Sequence, residues 1–212
     1  DPSEVKFSFG PYQIIDSIGK GGMGEVFLAY DTTCGRRIAL KKIRQDLLEH
    51  VQLQNRFLKE AHITSQLTHP AIIPIYTIHR EENLIYYTMP YVEGKTLKEI
   101  VRNARKAEKK GIRLPHSTTS IPTLMRIFVT ICNAAAYAHS KGVLHRDLKP
   151  ENIIIGRYGE VMILDWGLAK LLRSPQKDED EEMPTTKLPF HVLTHIGKVV
   201  GTVAYMAPER AF

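Results

Sequence analysis

The sequence is poor in cysteine, with only Cys34 and Cys132 among 212 residues. Two isolated cysteines exclude a disulfide-built scaffold and fit a reducing compartment. No Cys/His spacing resembles a zinc site, and the nine histidines are scattered, which argues against a structural metal. No secretory signal is present, and no apolar run approaches the ~18 residues of a membrane span. The nearest candidate, residues 127–138, is shorter, contains Asn133 and reads as a buried helix. An excess of one charge is also missing: 25% of residues are charged, 43% are apolar, and the formal net charge is +6. Together with a sequence pI near 9.2, this fits a solvated basic face better than a nucleic-acid surface. The chain begins with Asp1 rather than Met and stops at Phe212. The expectation is a fragment of a longer protein, any membrane anchor lying outside it.

What is present centres on His145-Arg146-Asp147-Leu148-Lys149-Pro150-Glu151-Asn152. This short stretch holds an acid, a base and an amide two and three residues apart. Asp165-Trp166-Gly167 follows, at the end of the apolar run 161–164. Such a set suits phosphoryl transfer: one carboxylate orients a hydroxyl nucleophile, a cation meets the moving phosphoryl, and an amide with a second carboxylate holds a divalent metal.

Upstream, residues 19–26 fit G-x-G-x-x-G-x-V, with Gly19, Gly21, Gly24 and Val26 at the defining positions. Glycines let backbone N–H groups approach phosphates. The motif alone fits a glycine turn or a dinucleotide site equally well. A dinucleotide site needs a helix to follow, whereas residues 26–30 look like a strand, so a flap carried by a hairpin is favoured. Ile38-Ala39-Leu40-Lys41 reads as a strand, with Lys42 on its opposite face, toward solvent. Helical spacing of Leu53, Phe57, Leu58, Ala61 and Ile63 predicts a helix within 46–67 that carries Glu60. The plain alternative for Glu60 is a surface residue making a weak intrahelical pair. His69-Pro70 would end this helix.

Residues 72–79 and 84–89 read as two strands around a polar turn. Residues 96–110 read as a helix with a basic cluster of Arg102, Arg105, Lys106, Lys109 and Lys110. A solvated face explains that cluster more simply than a docking surface for an acidic partner. A further helix is predicted over 123–141, with apolar positions Leu124, Ile127, Phe128, Ile131, Ala135 and Ala138, closed by Gly142. The acidic run Asp178-Glu179-Asp180-Glu181-Glu182 cannot bury much apolar surface and is expected to be mobile.

In this order the motifs resemble those of the bacterial eukaryotic-like (Hanks-type) Ser/Thr protein kinases. Lys149, two residues after Asp147, resembles the Ser/Thr rather than the Tyr branch. The wording of residues 19–26, 87–91, 139–144 and 165–167 is similar to the chlamydial PknD-type kinases. The resemblance implies an α+β bilobal fold, with a β-rich N-lobe and a mainly helical C-lobe that lacks its last helices. It places a lead-in at 1–10, the N-lobe with its hinge at 11–92, a partial C-lobe at 93–212 and an activation segment at 165–209. It implies ATP and Mg2+ as cofactors. Lys41 would hold phosphates and pair with Glu60, which is favoured over Glu49. Val26, Ala39 and Ile154 would sandwich adenine. Met89 would be the gatekeeper, and Pro90 and Val92 would bond adenine through a carbonyl and an N–H. Asp147 would accept the substrate proton, Lys149 would stabilise the phosphoryl, and Asn152 and Asp165 would hold the metal. Thr202 would brace Asp147 and Lys149. Arg146 would meet a phosphate on Thr194, Thr185 or Thr186. His145 would be structural, and Trp166 stands where the family usually has Phe.

The partners implied are proteins with Ser/Thr acceptors, and a transient dimer for autophosphorylation, in the cytoplasm. A nucleotide-binding pseudokinase or scaffold is the alternative, kept open by Trp166 and by the missing helices. Intact Lys41, Glu60, Asp147, Asn152 and Asp165 argue against it. A small-molecule kinase is a third reading, opposed by the substrate-positioning end Ala207-Pro208-Glu209. Without the later helices of the family, exposed apolar surface near the C-terminus and doubtful activity are expected.

Overall fold

The computed structural model describes residues 6–111, 120–167, 169–171 and 203–205. Thr185, Thr186, Thr194, Thr202 and the Ala207-Pro208-Glu209 end lie outside these residues. The described chain divides into two compact units, one built from 6–66 and 74–91, the other from 67–73, 92–171 and 203–205.

The first unit is a six-stranded antiparallel sheet in the order β1-β2-β3-β4-β6-β5. Its strands are β1 (Phe7–Phe9), β2 (Tyr12–Lys20), β3 (Gly24–Asp31), β4 (Arg36–Ile43), β5 (Thr77–Glu81) and β6 (Leu84–Pro90). Side chains alternate between its two faces, as the pleat requires. One face buries Ile14, Phe27, Ala29, Ile38, Leu40 and Tyr86. The other carries Ile43, Ile85 and Tyr87 against helix α1 (Val51–Ser65), which offers Leu53, Phe57, Leu58 and Ala61. Those four recur at helical spacing, so the sequence pattern alone turns them to one side.

Three expectations are revised in this unit. The lead-in is not wholly loose: β1 pairs with β2 in the register Phe7↔Ile14, and Phe7 packs edge-on to Phe27 with ring centres 5.8 Å apart. The strand expected over 72–79 begins only at Thr77. Pro74 has no N–H for a ladder, and the backbone before it bonds elsewhere, Ile73 N–H donating to the Ile163 carbonyl at 3.2 Å. Helix α1 also ends at Ser65, ahead of His69-Pro70.

The second unit contains β7 (Gly94–Thr96), α2 (Leu97–Lys109), α3 (Ile121–Ser140), β8 (Val143–Leu144), β9 (Ile153–Gly156), β10 (Val161–Ile163) and β11 (Lys170–Leu171). Strand β9 lies between β10 and β7, and β8 pairs with β11. A capping box starts α2: Glu99 N–H donates to Thr96 Oγ1 at 3.2 Å, and Thr96 N–H donates to Glu99 Oε2 at 2.9 Å. Ser120 caps α3, Pro122 sits in its first turn, and Gly142 closes it at φ 75.

Helix α3 also corrects the sequence reading. It buries Ile127, Ile131, Ala134 and Ala138, but Phe128 is 58% exposed, and Ile121, Met125 and Val129 are exposed as well. The apolar residues therefore surround the helix instead of forming one stripe. By length and composition α3 is apolar enough to cross a membrane, with 22% of the relevant window buried. Its buried residues pack within this unit, against β8 and β10.

Gly24 shows how closely the first unit is packed. A Cβ placed there would lie 2.8 Å from the Lys42 carbonyl oxygen and 3.2 Å from the Phe57 ring, whereas at Gly21 the nearest atom is 3.7 Å away. We expect Gly24→Ala to destabilise the protein by about 1–3 kcal/mol in denaturant unfolding, and Gly21→Ala to cost much less. Equal costs at the two positions would contradict this account.

Candidate active site

In the first unit, the glycine motif forms the turn between β2 and β3. Gly21 N–H donates to the Gly24 carbonyl at 2.8 Å, and Gly19 pairs with Val26 across the hairpin. A flap on a hairpin, rather than a strand-to-helix turn, is thus the observed form. Val26 and Lys41 are cross-strand partners, as are Lys41 and Tyr87, and Ala39 and Met89. Cross-strand partners share a face, so the sheet brings Val26, Ala39, Lys41, Tyr87 and Met89 together on one side. Pro90 ends β6 opposite Ile38.

Lys41 Nζ donates to Glu60 Oε1 at 2.6 Å, with the two side chains 14% and 4% exposed. A carboxylate this buried needs strong donors, because burial without them costs several kcal/mol. The second donor is one the sequence reading did not single out: Tyr87 Oη donates to the same Oε1 at 2.6 Å. The signal was available, since Tyr87 stands two residues before Met89 and so faces the same side of its strand. Burial, followed by the neighbouring Glu60 carboxylate, pushes the Tyr87 phenol well above its ordinary 10.0. It therefore remains a donor at any working pH. Lys42 is on the opposite side, as expected. Its stem is not simply in solvent, for Nζ lies 5.1 Å from the centre of the Phe9 ring.

In the second unit, the loop after β8 is held by its own polar groups. Lys149 Nζ donates to Asp147 Oδ2 at 2.6 Å. The Asn152 amide donates to the Asp147 carbonyl at 3.0 Å. Leu164 N–H donates to the Asn152 carbonyl at 2.8 Å, which ties the residue before Asp165 to this loop. Arg146 and Asp165 adopt φ 65 and φ 57. Left-handed backbone at a non-glycine residue costs on the order of 1 kcal/mol and clusters at functional positions. No sequence signal announces it here. Asn152 is buried, whereas Asp165 is exposed. Val92 and Ile154 also belong to this unit, Ile154 half-buried between the buried Ile153 and Ile155.

His145 packs on Trp166 with ring centres 4.6 Å apart. Its Nε2 lies 3.0 Å from the Leu164 carbonyl, and Asp147 N–H donates to its Nδ1 at 3.3 Å. These two bonds together assign the proton to Nε2 of a neutral ring. The Trp166 side chain is 2% exposed, and its Nε1–H has no hydrogen-bond partner among the described residues.

Comparison with known proteins gives the family. A family model described as "Protein kinase domain" matches residues 12–211. The chain belongs to the protein kinase domain family. It is 67% identical over 201 residues to the serine/threonine-protein kinase PknD of Protochlamydia amoebophila (strain UWE25), covering 94% of this chain and 20% of that protein. With PknD of Chlamydia felis (strain Fe/C-56) it shares 48% identity, covering 94% of this chain and 21% of that protein. The chain thus spans about a fifth of the length of the curated relatives it matches. A solved structure, "PpkA-294 apo form", superposes with a TM-score of 0.64 at 25% identity, covering 77% of this chain and 61% of the other. The kinase fold and the bacterial relationship read from the motifs are therefore sound.

Burial pushes the His145 imidazole below its ordinary 6.5, against a smaller upward pull from the Leu164 carbonyl. The unfolded chain then binds more protons near pH 6 than the folded one, so this group's contribution to stability is present above 6.5 and is lost as pH falls below it. Trp166 is the single tryptophan, and a protonated imidazole quenches indole emission on contact. We expect a Trp166 fluorescence titration with its midpoint below 6.5, absent in His145→Gln. A midpoint at or above 6.5 would refute the assignment.

Proposed function

We propose that the chain is the catalytic domain of a Ser/Thr protein kinase, transferring the γ-phosphoryl of ATP to Ser or Thr hydroxyls of proteins, its own activation segment included. The observation that carries this reading is the arrangement around Asp147. Its carboxylate is held by Lys149 at 2.6 Å, and its carbonyl is held by Asn152 at 3.0 Å. A carboxylate fixed in this way can orient a hydroxyl and accept its proton, with Lys149 beside it to meet the charge of the transferring phosphoryl. In the first unit Lys41, steadied by Glu60, would take the nucleotide phosphates, while Val26, Ala39 and Met89 would form one wall for adenine. Pro90, Val92 and Ile154 complete the adenine-binding set. Thr202 would brace Asp147 and Lys149.

Asn152 and Asp165 are the residues proposed to hold Mg2+. Their donors are hard oxygens, as that ion requires, and it is usually bound by one or two carboxylates together with substrate phosphates. No group of three or more His, Cys, Asp or Glu that could hold a metal occurs among the described residues. When bound, it neutralises phosphate charge. Thr194, with Thr185 and Thr186 behind it, is the proposed autophosphorylation site, reached through a transient dimer. A phosphate there would pair with Arg146. Cys34 and Cys132 are both free thiols, in keeping with a reducing, cytoplasmic setting.

Transfer of labelled phosphate from ATP with Mg2+, followed by site mapping in the full-length polypeptide, tests this reading. We expect label on Thr194 or its neighbours, and a loss of about 10²–10⁴-fold in Asp147→Asn. A wild-type protein that binds ATP but transfers nothing would establish the scaffold reading instead.

A further inference from the structure

Glu60 Oε1 receives two donors from adjacent strands, Lys41 of β4 and Tyr87 of β6, each at 2.6 Å. The two donors stand directly opposite each other in the strand pairing, so the sheet itself fixes the slot into which the carboxylate fits. Tyr87 touches helix α1 a second time through Phe57, with ring centres 5.2 Å apart. Phe57 and Glu60 are three residues apart on the helix and therefore share a face. Tyr87 is 3% exposed, so no water competes for its hydroxyl.

Lys41 is asked to do two things in the proposed reaction: neutralise Glu60 and hold phosphate. When its ammonium turns toward phosphate, Glu60 would lose its strongest partner in a site that cannot supply water. The Tyr87 hydroxyl has no such second task. We propose that Tyr87 is a positioning residue whose hydroxyl holds Glu60, and with it helix α1, against the sheet whether or not Lys41 is engaged with phosphate. This rests on the reading of Lys41 as the phosphate-binding lysine. It goes beyond that reading by giving the helix a fastening independent of nucleotide and of the activation segment.

Tyr87→Phe removes the hydroxyl and keeps the ring on Phe57. Tyr86→Phe is the control, since Tyr86 belongs to the opposite face of the sheet. Hydrogen exchange of the α1 amides is measured in nucleotide-free protein, and kcat and KM for ATP are measured in parallel. We expect Tyr87→Phe to speed exchange in α1 about tenfold, the scale of one hydrogen bond to a charged group, and Tyr86→Phe to leave it unchanged. The effect should grow in a Lys41→Met background, where Glu60 then loses both donors, and vanish in a Glu60→Ala background. In catalysis kcat should fall about tenfold while KM for ATP changes less than threefold. Unchanged exchange in Tyr87→Phe would overturn the proposal, as would an effect of equal size with Glu60 removed, which would reduce Tyr87 to packing. Should Glu60→Ala fail to fold, the Lys41→Met background decides, since a packing role predicts no growth there. If the wild type neither binds ATP nor transfers phosphate, the kinase reading fails, while the exchange measurements still decide the role of Tyr87.

Discussion

A carboxylate cannot be buried unless donors meet it, and at Glu60 two strand residues supply them. Two strands and a helix must be in register for Oε1 to receive both Lys41 and Tyr87. The surrounding apolar residues, among them Phe57, Leu58, Ala61 and Ile85, exclude the water that would otherwise serve. Removing one partner of such a cluster strands the others, which is why buried ion pairs hold geometry better than they add stability. The first unit can be understood as the apparatus that keeps one lysine ammonium at a fixed place.

The second unit solves a different problem with backbone bonds. Asp147 is surrounded by groups that are themselves fastened: Asn152 to Leu164, Leu164 to His145, His145 to Asp147. The ring of contacts offsets the unfavourable backbone at Arg146 and Asp165. A loop held in this way loses little freedom when a substrate arrives, and that preorganisation is what phosphoryl transfer demands of a protein.

Much of this was legible in the sequence. Period-2 and period-3.6 patterns located most strands and the three α-helices of the described residues, and the ordered motifs singled out Lys41, Glu60, Asp147, Lys149, Asn152 and Asp165 as candidates. What was missed has physical reasons. Tyr87 lay in a strand read only for its end, so its register against Lys41 was passed over. The two left-handed non-glycine positions among the described residues, Arg146 and Asp165, were not singled out by residue type. The true start of β5 depends on Ile72 pairing with Ile163, ninety-one residues away, and local propensity carries no record of such a bond. The exposed Phe128 face of α3 escaped because an apolar residue at helical spacing looks the same whether or not something covers it.

The central claim is that the buried Glu60 cluster aims Lys41 at nucleotide phosphates. Equilibrium binding of ATP and AMP, each with Mg2+, tests it directly. The account predicts that the wild-type protein binds ATP at least about tenfold more tightly than AMP, a difference of roughly 1.4 kcal/mol, and that Lys41→Ala erases most of that preference. Equal affinity for the two nucleotides in the wild type, or a preference that survives Lys41→Ala, would contradict it.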